Sequence, residues 1–204
     1  MGRTNIAVDY GVADELSLEA GRENKTQYAL ANEALKAVLE VAKSGGSPKQ
    51  IYPSWKFVSM MKDVGCIVLP EDLVEKLVSK IYEIDKDWLL KAWYDEGSRL
   101  GDFLKMSALR PEDLGDVIKE FQVLLPAQKI EFKKVTGEAK DSSGYGKSMY
   151  EIRAMGVASS VESTTCAEQF IRGIISSYSL KIIESRISRG IIRVKAVETY
   201  SPSS

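Results

Sequence analysis

The chain has 204 residues, 44 % of them apolar and 28 % charged, with a net charge of −1, enough for one large domain or a small domain followed by a medium one. A charge so near zero excludes attraction of the whole chain to nucleic acid or anionic membrane, so any such binding has to come from a local patch. The sequence holds no histidine, which removes a Ser-His-Asp triad, a Cys-His pair and every His-ligated metal site.

In chain order, Ile6 and Val8 alternate with Asn5 and Ala7, and this period of two predicts a short strand over Arg3–Val8. Asp9 is positioned to cap a helix carrying Val12, Ala13 and Leu16 as far as Ala20, with Gly21 as its left-handed terminator. A second helix is predicted from an N-cap at Asn24, with Gln27 at the capping-box position, through Leu35, Val38 and Ala42. Lys43-Ser-Gly-Gly-Ser-Pro48 breaks it and marks a domain boundary. Residues 1–45 form a head, 46–62 a linker or docking segment, 63–200 a body and 201–204 a frayed tail.

In the body, Cys66–Leu69 reads as a short strand or a helix–helix corner. Pro70-Glu-Asp and Pro111-Glu-Asp each open a helix with proline and acids in the first turn, and a longer helix runs between them from about Asp87 to Met106. Beyond Pro126 the texture changes. Lys129–Val135 and Met149–Val157 alternate as paired strands, joined by a Gly- and Ser-rich loop over Thr136–Lys147. Ser163 caps a helix to about Tyr178, and Leu180–Ile187 with Ile191–Val197 makes a second hairpin. The predicted fold class is α+β, with a β-α-α head, helices and a ββαββ antiparallel-sheet body.

Strand, short helix, turn and longer helix within some 45 residues cannot bury an apolar face alone, whereas two copies can. On this ground Arg3–Ala42 resembles the ribbon-helix-helix family of dimeric DNA-binding proteins. The resemblance implies that Ile6 and Val8 face inward. Arg3, Asn5 and Ala7 then face base edges in the major groove, and Asn24, Lys25 and Thr26 meet a phosphate at the start of the second helix. Ala7 stands where the family carries a polar side chain. Met1–Gly45 has five basic residues against seven acidic, so phosphate attraction would need help from Lys49, Lys56 and Lys62.

Within the body, Glu96-Gly97-x-x-x-Gly101 puts two glycines inside a helix, a sign of close packing or of a ligand at the backbone. This phrasing and the element order over Leu73–Val197 resemble the 4-vinyl reductase domain, a fold shared with haem-based nitric-oxide sensors and vesicle-tethering subunits. The resemblance implies a small hydrophobic molecule held between helices and sheet, with Trp88, Trp93, Phe103, Met106, Phe121, Met155 and Phe170 as its candidate lining. The alternative for each is a plain core position. The metal site found in many members does not carry over, because this chain has only Cys166 in the matching region.

Cys166 at a helix start is either an activated thiol or simply buried. Two cysteines a hundred residues apart point to the reducing cytoplasm. Neither a secretory signal nor a membrane-spanning run is legible. Gly144-Tyr-Gly-Lys-Ser148 fails as a phosphate loop, because position 141 is Asp and a strand follows. Arg186, Arg189, Arg193 and Lys195 read as a solvated strand face beside one acid, Glu184, with a nucleic-acid or partner patch as the alternative.

The sequence therefore predicts a homodimeric transcriptional regulator rather than an enzyme. It has no catalytic, metal or cofactor residues, binds operator DNA through its head, and senses a small apolar effector or dimerises further through its body. The alternative is an interaction, tethering or small-ligand-binding protein whose head only dimerises.

Overall fold

The computed structural model describes residues 4–121, 127–140 and 146–199, and the side chains of residues 121, 136–140, 146 and 147 lie outside that description. The chain divides into two compact units, residues 1–55 and 56–204. Seven helices and four strands are described: α1 Tyr10–Arg22, α2 Gln27–Lys43, α3 Ile51–Asp63, α4 Glu71–Ile84, α5 Lys86–Leu104, α6 Leu114–Phe121, β1 Lys129–Lys140, β2 Gly146–Met155, α7 Val161–Ser176, β3 Leu180–Ser188 and β4 Ile191–Glu198. The fold is α+β.

In the first unit, residues 4–9 have no strand partner and no regular structure, so the strand predicted over Arg3–Val8 is absent from the single chain. A strand exists only through its ladder, and no described residue pairs with this segment. The predicted helix ends move for stereochemical reasons. α1 runs past Gly21 to Arg22, and the left-handed residue of the turn is Asn24, at φ 54°. An N-cap needs extended backbone, so Asn24 cannot cap α2. Thr26 does, at φ −77° and ψ 150°, with its hydroxyl accepting from the Ala29 N–H at 3.1 Å. The linker or docking segment contains a 3-10 turn at Pro48–Gln50 and then α3.

The second unit is built on one four-stranded antiparallel sheet in the order β1-β2-β4-β3. Alternation sets its faces. Tyr150, Ile152 and Ala154 of β2 pair with Ala196, Val194 and Ile192 of β4, and all six are buried in one core with Ile175 of α7, Ala108 and Leu114. The predicted loop over Thr136–Lys147 is shorter than expected. After a register shift beyond Val135 the ladder resumes, pairing Ala139 with Lys147 and Lys140 with Gly146. Cys66–Leu69 is not a strand; it is the irregular connection between α3 and α4. Ser160, not Ser163, caps α7, its hydroxyl accepting from the Ser163 N–H at 3.1 Å.

Candidate functional site

The surface expected to read DNA starts from residues 4–9, every one of which is exposed, including Asn5 and Ala7. Arg3 lies outside the described residues. Ile6 and Val8 are 64 % and 58 % exposed. Among α1 and α2 only Ala20 is buried, while Val12, Leu18, Tyr28, Leu35 and Leu39 face solvent. Asn24 and Lys25 form the turn into α2, where the Lys25 N–H donates to the Ala20 carbonyl at 2.8 Å. The Lys25 ammonium is not free for a phosphate. It lies 2.8 Å from Glu23 and 2.7 Å from Glu33, and hydrogen bonds to these two carboxylates hold its pKa above the ordinary lysine range. The Thr26 hydroxyl accepts the Ala29 N–H in its cap, which leaves its own O–H to donate.

In the body, the two glycines of α5 prove to be a packing device. A Cβ on Gly97 would stand 2.1 Å from the Phe170 carbonyl oxygen, and one on Gly101 would stand 2.7 Å from that of Ile174. α7 returns the device, since a Cβ on Gly173 would lie 2.1 Å from the Tyr94 carbonyl oxygen. The backbones of α5 and α7 therefore meet directly, and no ligand is needed to explain these glycines. Gly173 was legible only as an unremarked glycine in a helix.

The six candidates whose side chains are described do not converge on one place. Trp93 and Phe170 meet edge to face, with ring centroids 6.2 Å apart, beside the small core of Val78, Leu89 and Cys166. Phe103 is half-buried. Trp88, Met106 and Met155 are exposed, Met106 by 70 %. The Phe121 side chain lies outside the described residues.

Three polar arrangements escaped the sequence reading. Glu75 of α4 accepts from the Ser159 N–H at 2.9 Å, the Ser160 hydroxyl at 2.6 Å and the Ser163 hydroxyl at 2.8 Å. Burial opposes its ionisation, but these hydrogen bonds outweigh the burial and pull its pKa down to about 2. The buried Tyr150 hydroxyl lies 2.7 Å from Glu198 and 3.0 Å from Glu112. Lys134 reaches the same Glu112 oxygen at 2.9 Å and holds that carboxyl below its usual range. Tyr178 is the counter-case, because its buried hydroxyl has no hydrogen-bond partner among the described residues. The serine run before α7 was the one available signal for Glu75. Nothing local distinguished Tyr150 from Tyr178.

Cys166 is fully buried, and burial together with the nearby Glu75 charge pushes its thiol up to about 11. That is the opposite direction from an activated thiol. The basic hairpin is charge-laced. Arg186 and Lys195 lie 2.8 Å and 2.7 Å from Glu184, Arg193 bonds Glu151, and Arg189 donates to the Ser159 carbonyl. Among the described residues no group of three or more acidic or cysteine side chains is arranged to hold a metal ion. None of the described helices is long and apolar enough to cross a membrane.

No family model and no curated protein matches the chain. Among solved structures it is similar to one from work described as "Probing the function of heme distortion in the H-NOX family". Identity is 14 %, the match covers 72 % of this chain and 85 % of the other, and the TM-score is 0.40.

Proposed function

We propose that the chain acts as a homodimeric DNA-binding regulator, in which residues 4–9 of two copies pair as a ribbon over a shared core made by both α1–α2 pairs. One observation carries this reading: the head has an apolar face and almost no interior. Of α1 and α2 together only Ala20 is buried, while Ile6 and Val8 alternate with Asn5 and Ala7 on a segment that has no regular structure and no strand partner among the described residues. Two helices with that exposure do not repay the entropy of ordering them. Pairing across a two-fold axis gives each strand its second edge and closes the helices over Ile6 and Val8. The other ribbon face then presents Asn5 and Ala7, with Arg3 before them, where side chains read base edges. The Lys25 ion pairs reduce the contribution of that lysine, so the ribbon rather than the α2 start carries the affinity.

The test is fluorescence anisotropy of a labelled random duplex with the intact protein at rising salt. Binding that weakens linearly in log salt is expected, because phosphate contacts release counterions. Ile6→Glu with Val8→Glu should abolish both dimer and binding. A dimer with no affinity for duplex at low salt would leave the head as a dimerisation arm only.

A second reading, in which the body holds a small molecule, has one observation in its favour. The Tyr178 hydroxyl is buried without a hydrogen-bond partner among the described residues, and a buried unpaired hydroxyl is costly unless something bonds to it.

A further inference from the structure

We infer that the outer face of the body's sheet binds the phosphate backbone of nucleic acid, as a second and sequence-independent contact of the same protein. The inference rests on the DNA-binding reading above and adds to it a charge-driven part carried by the body. One face of the sheet is the core face, where Leu114 of α6 and Ile175 of α7 join Tyr150, Ile152 and Val194. Alternation along each strand sends the intervening residues to the other face.

There the register sets three arginines side by side. Arg153 of β2 is directly opposite Arg193 of β4, and Arg193 is directly opposite Arg186 of β3. Neighbouring strands lie about 4.8 Å apart, so the row spans about 10 Å. Like charges directly opposite one another weaken a sheet, and a face that only had to meet water would alternate its signs. The side chains of Arg153 and Arg186 are 51 % and 72 % exposed, so the row is open to a partner.

The acids of this face do not neutralise it. Each of its three carboxylates is divided between two cations, one on each oxygen. Glu131 lies 2.7 Å from Lys129 and 3.0 Å from Lys133. Glu151 is shared by Arg153, at 2.7 Å, and Arg193. Glu184 is shared by Arg186 and Lys195, at 2.8 Å and 2.7 Å. Lys181 of β3, opposite Val197, stands on the same face. The described residues of this face therefore carry a net +4, on a chain whose net charge is −1. A guanidinium has five N–H donors, more than one carboxylate oxygen can take, so the arginines keep donors for an outside anion.

The occupant follows from this chemistry. A row of guanidinium forks matches anions repeated at close spacing, and a nucleic-acid strand carries one phosphate per about 3.4 Å of axis. Among the described residues of the face there is no aromatic ring, so it offers neither a platform for stacked bases nor an anchor at a lipid interface. Contact is thus limited to the backbone and carries no sequence preference. A duplex held by the head is at high effective concentration for a face on the same chain, so a face too weak to bind alone still adds affinity.

The experiment is fluorescence anisotropy of a labelled random duplex over a salt series, with the full-length natural chain and double variants. Arg153→Gln with Arg186→Gln leaves Glu151 and Glu184 each with one partner, Arg193 and Lys195. It is expected to weaken binding roughly 10-fold at 0.1 M salt and to flatten the log–log salt slope by about 2. Arg153→Lys with Arg186→Lys keeps both charges and should restore the slope, which a folding defect would not allow. Lys80→Gln with Lys91→Gln removes the same charge from exposed positions of α4 and α5 and should leave the slope unchanged.

An arginine variant with the natural affinity and slope overturns the sheet face and leaves the head reading standing. An equal loss of slope in the Lys80 and Lys91 variant also overturns it, because the position of the charge would then not matter. Binding that survives Ile6→Glu with Val8→Glu but weakens in the arginine variant supports the face and overturns the head. Labelled polyglutamate is the second probe. If the arginine variant loses affinity for it and not for duplex, the face takes an acidic protein and the inference falls. A natural chain with no affinity for duplex at low salt overturns both readings.

Discussion

The Phe170 carbonyl oxygen stands 2.1 Å from where a Cβ on Gly97 would be, so α5 and α7 touch backbone to backbone at that point. Gly173 makes the reciprocal approach to Tyr94. One added methyl has nowhere to go, because the obstruction is main chain rather than a side chain that can turn away. Gly97→Ala and Gly173→Ala should each cost about 3 kcal/mol or more, measured by urea denaturation. Gly21→Ala, in α1, meets nothing within 4 Å. It should be neutral or stabilise the head by up to about 1 kcal/mol through helix propensity.

Glu75 ties α4 to the start of α7 through Ser159, Ser160 and Ser163. Its folded pKa, about 2 against an ordinary 4.5, is depressed. Its contribution is therefore fully present above pH 4.5 and is lost as pH falls toward 2. Because the site is only partly shielded from water, about 1–2 kcal/mol is the expected size. Glu75→Gln should be less stable than the natural chain at pH 7, and the gap should close on titration from pH 5 to 2. A gap that stays constant with pH would mean the carboxylate charge contributes nothing there.

Tyr150 and Tyr178 are both buried in the same core, yet removing the hydroxyl should act in opposite directions. Tyr150→Phe gives up the bond shared between Glu198 and Glu112 and should cost about 2 kcal/mol, as bonds to charged groups do. Tyr178→Phe removes a hydroxyl with no partner among the described residues and should gain up to about 1 kcal/mol. Thermal unfolding of the two variants side by side checks the pair. A loss for Tyr178→Phe would mean that a ligand or water bonds that hydroxyl in solution.

The thiols should divide one and one. Cys66 is exposed and Cys166 is buried, and the Cys166 thiol is held near 11 by burial and Glu75. Titration with a thiol reagent at pH 8 should find one reactive cysteine in the folded protein and two in guanidinium.

Local patterns in the sequence were enough for the α+β class and the order of the body elements. The period-2 runs of β1, β2 and β4 and the proline-acid starts of α4 and α6 each act within a few residues of themselves. They remained legible because the physics of alternation, capping and φ restriction is local. The helix start at Asn24 was misplaced by two residues for an equally local reason: asparagine suits both a cap and a left-handed turn, and the Ala20–Lys25 contact that selects the turn spans the whole helix end.

The site was less legible, because its parts come from distant stretches. Gly97 reads as a packing glycine or as a ligand-approach glycine until Phe170 is placed beside it, 73 residues along the chain. Glu75 is an ordinary surface acid of α4 until the fold brings it to three serines more than eighty residues away. The segment from Asn5 to Val8 pairs with no described residue, so its alternation did not by itself decide whether it forms a strand. The sequence by itself determined which residues are apolar, where chains of alternation and helix starts fall, and that histidine chemistry is absent. Tertiary structure decided which glycines touch, which tyrosine is satisfied and which face of the sheet gathers the arginines. Those are relations between distant segments, and only the folded backbone sets such distances.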